Sequence, residues 1–223
     1  MDAGITLNLG LATAQNTVGA GTDTLIGIEG AIGSASDDTI TGTAADNYID
    51  GGADLGADRL NGGAGVDTVS YASATAAVRV DLSLTVAQDT VGAGIDDITN
   101  FENVVGSAFN DNLDGNDGAN VMEGGLGNDN INGRAGVDMV SYERSSAGVT
   151  VNLAVGIAQN TIGAGIDTIT NFENLRGSGF ADTLLGNAAA NVIEGGAGAD
   201  TLNGGGGNDT ISGGAGNDVI DGG

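Results

Sequence analysis

The sequence predicts an all-β protein whose short parallel strands wind into a β-roll, a type of β-solenoid. Three observations lead to this prediction. Glycine supplies 43 of the 223 residues, more than twice its usual share of about 7 per cent. Glycine-rich stretches recur every nine residues, each followed by an aliphatic residue. Aromatic residues make up only 3 per cent of the chain, so we expect a thin aliphatic interior instead of a conventional globular core.

Three copies of one long unit make up the chain. VGAGTD from Val18 recurs as VGAGID from Val91 and as IGAGID from Ile162, at spacings of 73 and then 71 residues. Repeats of this kind predict a stack in which each unit contacts only its neighbours. We place the units at residues 1–70, 71–141 and 142–223 and expect one continuous, elongated solenoid.

Within each unit the period is nine residues. The longest run begins with GSGFADTLL from Gly177 and ends with GGAGNDVID from Gly213. Position one is glycine, position six is aspartate or asparagine, and position eight is aliphatic. Glycine costs about 1 kcal/mol per position in a helix, so these turns favour β-structure. Two nonapeptides would form one coil with strands on two opposed sheets, and position eight would face the interior.

The segments between the runs depart from this period. VGAGIDDIT from Val91 and IGAGIDTIT from Ile162 are interpreted as nonapeptides without the leading glycine, followed by the shortened pieces NFENVV and NFENLR. AVRVDLSL, ending at Leu84, and GVTVNLAV, ending at Val155, alternate as half-buried strands do. Glu102 and Glu173 in the shortened pieces would either bind a cation or cap the short coil, and capping is favoured.

Stacked turns would bring the position-six side chains together in columns. The predicted columns are Asp167, Asp182, Asp200 and Asp218; Asn191 and Asp209; Asp96, Asp111 and Asp129; and Asp23, Asp38 and Asp58. Two carboxylates about 4 Å apart repel by about 4 kcal/mol at an effective dielectric constant of 20. Ca²⁺ resolves this repulsion because it accepts about six to eight carboxylate and carbonyl oxygens, whereas Mg²⁺ demands a tight octahedron.

Composition excludes several classes of function. The chain has no histidine or cysteine, so any metal ion must be held by oxygen and no thiol or imidazole catalysis is available. A net charge of −25 argues against nucleic acid as a partner. No stretch approaches the roughly 18 apolar residues of a membrane span. We predict no enzyme, since the repeat explains the spacing of the carboxylates.

Three tandem motifs carry a family resemblance. GGAGADTLN from Gly195, GGGGNDTIS from Gly204 and GGAGNDVID from Gly213 resemble the GGxGxDxUx nonapeptides of RTX (repeats-in-toxin, hemolysin-type calcium-binding) proteins. The resemblance implies a parallel β-roll with several Ca²⁺ ions between stacked loops. It also implies a bacterial protein that folds outside the cell after export by a type I secretion system.

The resemblance implies a set of ligands as well. The position-six ligands that match the motif are Asp67, Asp129, Asp138, Asp200, Asp209 and Asp218. The loop residues expected to supply carbonyl oxygens are Gly195, Gly196, Ala197, Gly198, Gly213, Gly214 and Gly216. With the columns above, the predicted carboxylate set becomes Asp23, Asp38, Asp58, Asp67, Asp96, Asp111, Asp129, Asp138, Asp167, Asp182, Asp200, Asp209 and Asp218.

Some loops depart from the family pattern and are predicted to bind more weakly. GSAFND and GSGFAD lack two glycines, which weakens the sites at Asp111 and Asp182. Asn47, Asn120 and Asn191 occupy position six elsewhere. Arg134 follows Gly133 and would bring a positive charge towards the Asp138 loop.

The sequence therefore predicts a calcium-binding, secreted or cell-surface β-roll segment of a larger bacterial protein. The chain ends within a motif and shows no C-terminal export signal, so we expect the remainder to lie elsewhere. The alternative is a module that binds an extracellular glycan or surface, with Arg79 or Arg144 contacting sugar. Tyr71 and Tyr142 could stack on a sugar in that case, but a hydrophobic cap at the end of each run is favoured.

Overall fold

The computed structural model describes residues 3–53 and 55–223. It divides into two compact units, the first extending to Ala108 and the second spanning Phe109–Gly223. The described residues form strands and no helix, and none of them provides a helix that is long and apolar enough to cross a membrane. The boundaries of the three sequence copies stay a prediction.

The first unit contains twelve strands among its described residues. They are β1 (Thr6–Asn8), β2 (Gln15–Asn16), β3 (Thr22–Asp23), β4 (Gly30–Ile32), β5 (Thr39–Thr41), β6 (Tyr48–Asp50), β7 (Arg59–Asn61), β8 (Thr68–Ser70), β9 (Arg79–Asp81), β10 (Gln88–Val91), β11 (Gly94–Thr99) and β12 (Asn103–Val105). Parallel strands β1, β5, β7 and β11 form one sheet, and β4, β6, β8 and β12 form the other. Successive nonapeptides therefore alternate between two sheets, as predicted.

The second unit, described throughout, has thirteen strands. They are β13 (Asn112–Asp114), β14 (Val121–Glu123), β15 (Asn130–Asn132), β16 (Met139–Ser141), β17 (Thr150–Asn152), β18 (Gln159–Asn160), β19 (Ile166–Thr170), β20 (Asn174–Arg176), β21 (Thr183–Leu185), β22 (Val192–Ala197), β23 (Thr201–Asn203), β24 (Thr210–Ala215) and β25 (Val219–Asp221). One sheet runs β14, β16, β20, β22, β24. The opposite side consists of two shorter sheets, β13–β15–β19–β18 and β17–β21–β23–β25.

Position-eight side chains form the interior of both units. Parallel pairing sets Leu113 against Ile131 and Leu184 against Leu202, and all four are at most 1 per cent exposed. Because side chains alternate between the faces of a strand, the flanking positions seven and nine point away from this aliphatic stack. The predicted parallel β-roll is confirmed.

The stacking order of the strands differs from their order in the chain. β17 pairs with β21, whereas β19, which comes later in sequence than β17, pairs back to β15. The chain therefore places β17 one coil ahead and then returns through β18 and β19. Val80 and Val151, in the alternating segments, are fully buried, which confirms the predicted half-buried strands.

The VGAG and IGAG segments are hairpins, so interpreting them as nonapeptide turns was wrong. β10 pairs antiparallel with β11, and β18 pairs antiparallel with β19. The turns place Val91 at φ 63° and Ile162 at φ 62°, a conformation that β-branched residues rarely adopt. Thr90 and Thr161 hold these turns by donating hydroxyl hydrogen bonds to the carbonyls of Gly94 and Gly165, both at 3.0 Å.

We predict that Ile131→Ala destabilises the calcium-saturated protein by about 2–5 kcal/mol, because it removes a fully buried side chain and leaves a cavity. The matched control is Ile220→Ala, which changes the same position of a nonapeptide where the side chain is 51 per cent exposed. Its expected effect is below about 1 kcal/mol. Urea unfolding at saturating Ca²⁺ measures both, and equal losses would contradict the assignment of the core.

Candidate metal centre

Hydrogen bonds join the position-six side chains into columns along the edges of the roll. The Oδ1 atom of Asp200 accepts the backbone N–H of Asp182, 18 residues earlier, at 2.9 Å, and Asp209 likewise accepts the N–H of Asn191. The same bond recurs along both units at 2.7–3.1 Å. One oxygen of each carboxylate is thereby fixed by the neighbouring coil, and the other oxygen decides what the loop can bind.

The columns differ from the predicted ones in three members. Asp96 follows Asp38 and Asp58, since its Oδ1 accepts the N–H of Asp58. Asp167 follows Asp111 and Asp129, because its Oδ1 accepts the N–H of Asp129. The residue that precedes Asp182 is Val149, not Asp167.

The third member is Asp23, which the prediction stacked on Asp38. The residue whose N–H donates to Asp38 Oδ1 is Ile5. Asp23 lies in the β2–β3 hairpin and accepts the Thr17 hydroxyl at 2.8 Å. Counting along the chain fails at all three positions because a hairpin intervenes and the preceding strand is placed one coil ahead.

One class of loop satisfies its own position-six side chain. In at least five of the described loops the backbone N–H of position two donates to the position-six residue of the same loop; these donors are Ser34, Thr43, Asn116, Ser178 and Asn187. None of these five is among the described residues with positive φ. The Ser34 and Ser178 hydroxyls add second hydrogen bonds to Asp38 and Asp182. We call these the closed loops.

The second class, the open loops, turns the position-two N–H away. Here position two has positive φ and is glycine, except for Arg134 at φ 70°. In four of these loops its N–H reaches back two residues, as from Gly63 to Asn61 and from Gly205 to Asn203. The position-six carboxylate therefore receives no hydrogen bond from that donor.

Among the described residues, buried side-chain oxygens without a hydrogen-bond partner occur only at position six of open loops. These atoms are the Oδ2 oxygens of Asp67, Asp129, Asp138, Asp200 and Asp209. A buried carboxylate oxygen without a partner is costly, so these atoms are suited to bind a cation. Asp67, Asp129, Asp138 and Asp200 are at most 2 per cent exposed.

The raised pKa values of four open-loop aspartates are consistent with binding of a cation at these carboxylates. Burial raises the pKa of Asp129 to about 7, and the nearby carboxylates of Asp167 and Asp111 also act upward, against the hydrogen bond from the Asp111 backbone. Burial likewise raises the pKa of Asp138 to about 6, and it raises the pKa of Asp67 and Asp200. A divalent cation would offset this desolvation and repulsion.

Backbone carbonyls converge on the same points as the unpartnered carboxylate oxygens. A Cβ placed on Gly195 would lie 2.5 Å from Asp200 Oδ2 and 2.5 Å from the carbonyl oxygen of Gly213 in the next coil. Gly204 faces Asp209 Oδ2 and the Gly222 carbonyl in the same way. Only glycine fits at position one, and the space contains both kinds of oxygen that Ca²⁺ accepts.

The predicted carbonyl donors lie in two stacked loops. Gly196 pairs with Gly214 and Ala197 with Ala215, in parallel register. A Cβ placed on Gly214 would clash with the Gly196 carbonyl oxygen, and one placed on Gly216 would clash with that of Gly198, so neither position accepts a side chain. No group of three or more acidic side chains that could hold a metal ion occurs in residues 3–53 and 55–223, so carbonyls must complete any site there.

Asp96 and Asp167 differ from the open-loop aspartates because both of their oxygens accept hydrogen bonds. Asp167 Oδ2 accepts the hydroxyls of Thr161 at 2.9 Å and Tyr142 at 3.2 Å, and Asp96 repeats this arrangement with Thr90 and Tyr71. Both tyrosines are 2 per cent exposed, and burial together with the aspartate raises the pKa of each well above its ordinary value. They are buried caps, as favoured, and do not offer a surface for stacking on a sugar.

Arg134 does not satisfy the Asp138 carboxylate. Its side-chain Nε lies 3.8 Å from Asp114 Oδ1, while Asp138 Oδ2 remains among the unpartnered oxygens of the described residues. The guanidinium of Arg134 therefore lies beside Asp114 and does not reach the Oδ2 atom of Asp138.

The family model for the RTX calcium-binding nonapeptide repeat matches four segments of this chain, residues 32–69, 105–140, 176–211 and 194–223, which together cover more than half of it. A comparison with curated proteins finds no significant match. The chain belongs to the RTX calcium-binding repeat family, and its nonapeptide array binds several Ca²⁺ ions. The assignment of individual ligands to these ions is our proposal, and it favours the open loops.

Sequence reasoning did not recognise the direction of the position-two N–H. The signal was present, because glycine at position two marks an open loop and serine, threonine or asparagine marks a closed one. Arg134 breaks this rule, since only the structure shows that it adopts positive φ.

We predict that Asp209→Asn lowers the number of bound Ca²⁺ ions by at least one, because it removes the charge of an unpartnered buried oxygen. Asp182→Asn is the matched control, since Asp182 lies in a closed loop and Asn191 shows that asparagine fits there. Its ion count should equal that of the wild type. Titration calorimetry and native mass spectrometry give both counts, and an equal loss in the two variants would contradict the distinction between the loop classes.

Proposed function

We propose that this chain is a secreted β-roll segment that folds when it binds Ca²⁺ outside the cell and serves as a structural, non-catalytic module of a larger protein. The single observation that carries this proposal is the set of five buried, unpartnered carboxylate oxygens among the described residues. A roll that buries negative charge in this way is poorly stable without cations, because burial and mutual repulsion both oppose ionisation.

Linkage between binding and folding supplies the mechanism. An ion that binds only the folded chain stabilises it by RT ln(1 + [L]/Kd), about 1.4 kcal/mol per site at a concentration ten times Kd. Several sites together would add their contributions to that of a thin aliphatic core. A net charge of −25 adds self-repulsion that keeps the metal-free chain expanded.

The proposed location follows from calcium concentration. Extracellular calcium modules often have Kd values of about 10⁻⁴–10⁻³ M, so such a chain would stay unfolded where Ca²⁺ is scarce and fold where it is plentiful. This behaviour suits export of an unfolded chain through a type I secretion system, which we propose as the route of the parent protein.

Glycan binding stays an untested alternative that no feature of the site favours. Arg144, one of the two arginines considered for sugar contact, donates from Nη1 to Glu123 Oε2 at 2.8 Å, and its backbone N–H donates to the same carboxylate. This arginine holds together the strand ends of its own unit.

We predict that chelation of Ca²⁺ abolishes the far-UV β-signal and expands the chain towards a radius of gyration of about 50 Å, the value for an unfolded chain of this length. Adding Ca²⁺ back should restore the fold with a midpoint of about 10⁻⁴–10⁻³ M, whereas Mg²⁺ at equal concentration should not. Circular dichroism and small-angle scattering measure these changes. A β-signal that survives excess chelator would refute the proposal.

A further inference from the structure

The pieces NFENVV and NFENLR are nonapeptides from which three loop residues are missing. Asn103 pairs with Thr68 and Val104 with Val69, so Glu102 lies in register with Asp67 at position six. In the second unit Asn174 pairs with Met139, which sets Glu173 against Asp138. These glutamates lie outside the segments that match the family model.

Each glutamate makes the contact that a position-six aspartate makes elsewhere. Glu173 Oε2 accepts the backbone N–H of Asp138 at 2.9 Å, and Glu102 Oε2 accepts that of Asp67 at 2.9 Å. The additional methylene of glutamate lets its carboxylate reach the column although the loop is shorter. The column therefore continues through the shortened pieces.

The coil before each glutamate presents an unsatisfied ligand. Asp67 and Asp138 are at most 1 per cent exposed, and their Oδ2 atoms are unpartnered. A Cβ placed on Gly133 would lie 2.8 Å from Asp138 Oδ2 and closer still to the carbonyl oxygen of Asn171. Gly62 faces Asp67 Oδ2 and the Asn100 carbonyl in the same manner.

The backbone conformation of each shortened piece places the carbonyl of Asn100 or Asn171 beside the position-one glycine of the coil before. Asn171 has φ 58° and Asn100 has φ 57°, a conformation that asparagine tolerates better than most residues. Their side-chain amides donate to Asn132 and Asn61 in the coil before, at 2.7 and 2.9 Å. Carboxylate and carbonyl oxygens from two coils thus converge as they do at Gly195.

The coil on the other side of Glu173, away from Asp138, has no carboxylate at position six. Asn191 follows Glu173 in the same column, one coil further along, and donates from Nδ2 to the Glu173 carbonyl at 2.6 Å. Its own Oδ1 accepts from Asn187 in a closed loop. The unsatisfied carboxylate oxygen therefore lies only on the Asp138 side of Glu173.

We propose that Glu102 and Glu173 are calcium ligands, each sharing one Ca²⁺ ion with the unpartnered carboxylate oxygen of Asp67 or Asp138 and with the carbonyl of Asn100 or Asn171. The shortened pieces are then half-sites that extend the calcium column beyond the nonapeptide motif. This inference rests on calcium binding by the array and does not depend on where the protein folds.

The experiment compares Glu102→Gln and Glu173→Gln with Glu29→Gln, each at saturating Ca²⁺. Glutamine keeps an oxygen that can accept the same backbone hydrogen bond but loses the charge. Glu29 occupies the equivalent place in GIEGAI, yet it is exposed, and its carbonyl accepts hydrogen bonds from the Asn47 side chain and the Tyr48 backbone. Native mass spectrometry should show one ion fewer in each of the first two variants, two fewer in their double variant, and no loss in Glu29→Gln.

A second variant tests whether the two carboxylates share one ion. Asp138→Asn should remove the same ion as Glu173→Gln, so the Asp138→Asn/Glu173→Gln double variant should lose no more ions than either single variant. Unchanged ion counts in Glu102→Gln and Glu173→Gln would overturn the proposal and establish the glutamates as caps only. Additive losses at Asp138 and Glu173 would also overturn it.

A measurement on the wild-type chain covers the case in which the variants do not fold. With ¹³C in the carboxyl groups of the six glutamates, exchange of Sr²⁺ for Ca²⁺ should shift about a third of the labelled carboxylate infrared intensity, because only coordinated groups respond to the size of the ion. No shift would overturn the proposal. Failure of calcium-dependent folding would be recognised separately, by a wild-type fold that persists in chelator.

Discussion

The direction of the position-two peptide N–H determines whether the position-six side chain is satisfied within its own loop. In the loops of Asp67, Asp129, Asp138, Asp200 and Asp209, position two has positive φ, and a buried oxygen of the position-six aspartate has no donor. When position two has negative φ, the N–H satisfies that side chain within its own loop. Burial makes the unsatisfied oxygen costly, and we propose that a cation bound at the open loops offsets this cost and so couples binding to folding.

The recurrence of glycine at position one follows from the geometry of the stacked turns. Position-one glycines leave room for the aspartate carboxylate and for the carbonyl of the next coil, and a side chain there would fill the cradle. Two columns each contain one aspartate that accepts hydrogen bonds from the protein at both carboxylate oxygens. At Asp96 and Asp167 a tyrosine and a threonine hydroxyl supply the hydrogen bonds that the open-loop oxygens lack.

The fold could largely be predicted from the sequence, and the site only in part. The nine-residue period gives the strands and the buried position eight because both depend on local pattern. The column at Asp167 was misassigned because β17 pairs one coil ahead, with β21, a long-range choice that leaves no mark in the period. Capping by Glu173 was favoured because its alignment with Asp138 becomes visible only when the strands are in register.

The most direct test of the account is an anomalous difference map from crystals grown in abundant Ca²⁺. The account predicts peaks beside the Oδ2 atoms of Asp67, Asp129, Asp138, Asp200 and Asp209, and none between Asp182 and the Ser178 loop. Peaks at the closed loops with none at these five aspartates would contradict it.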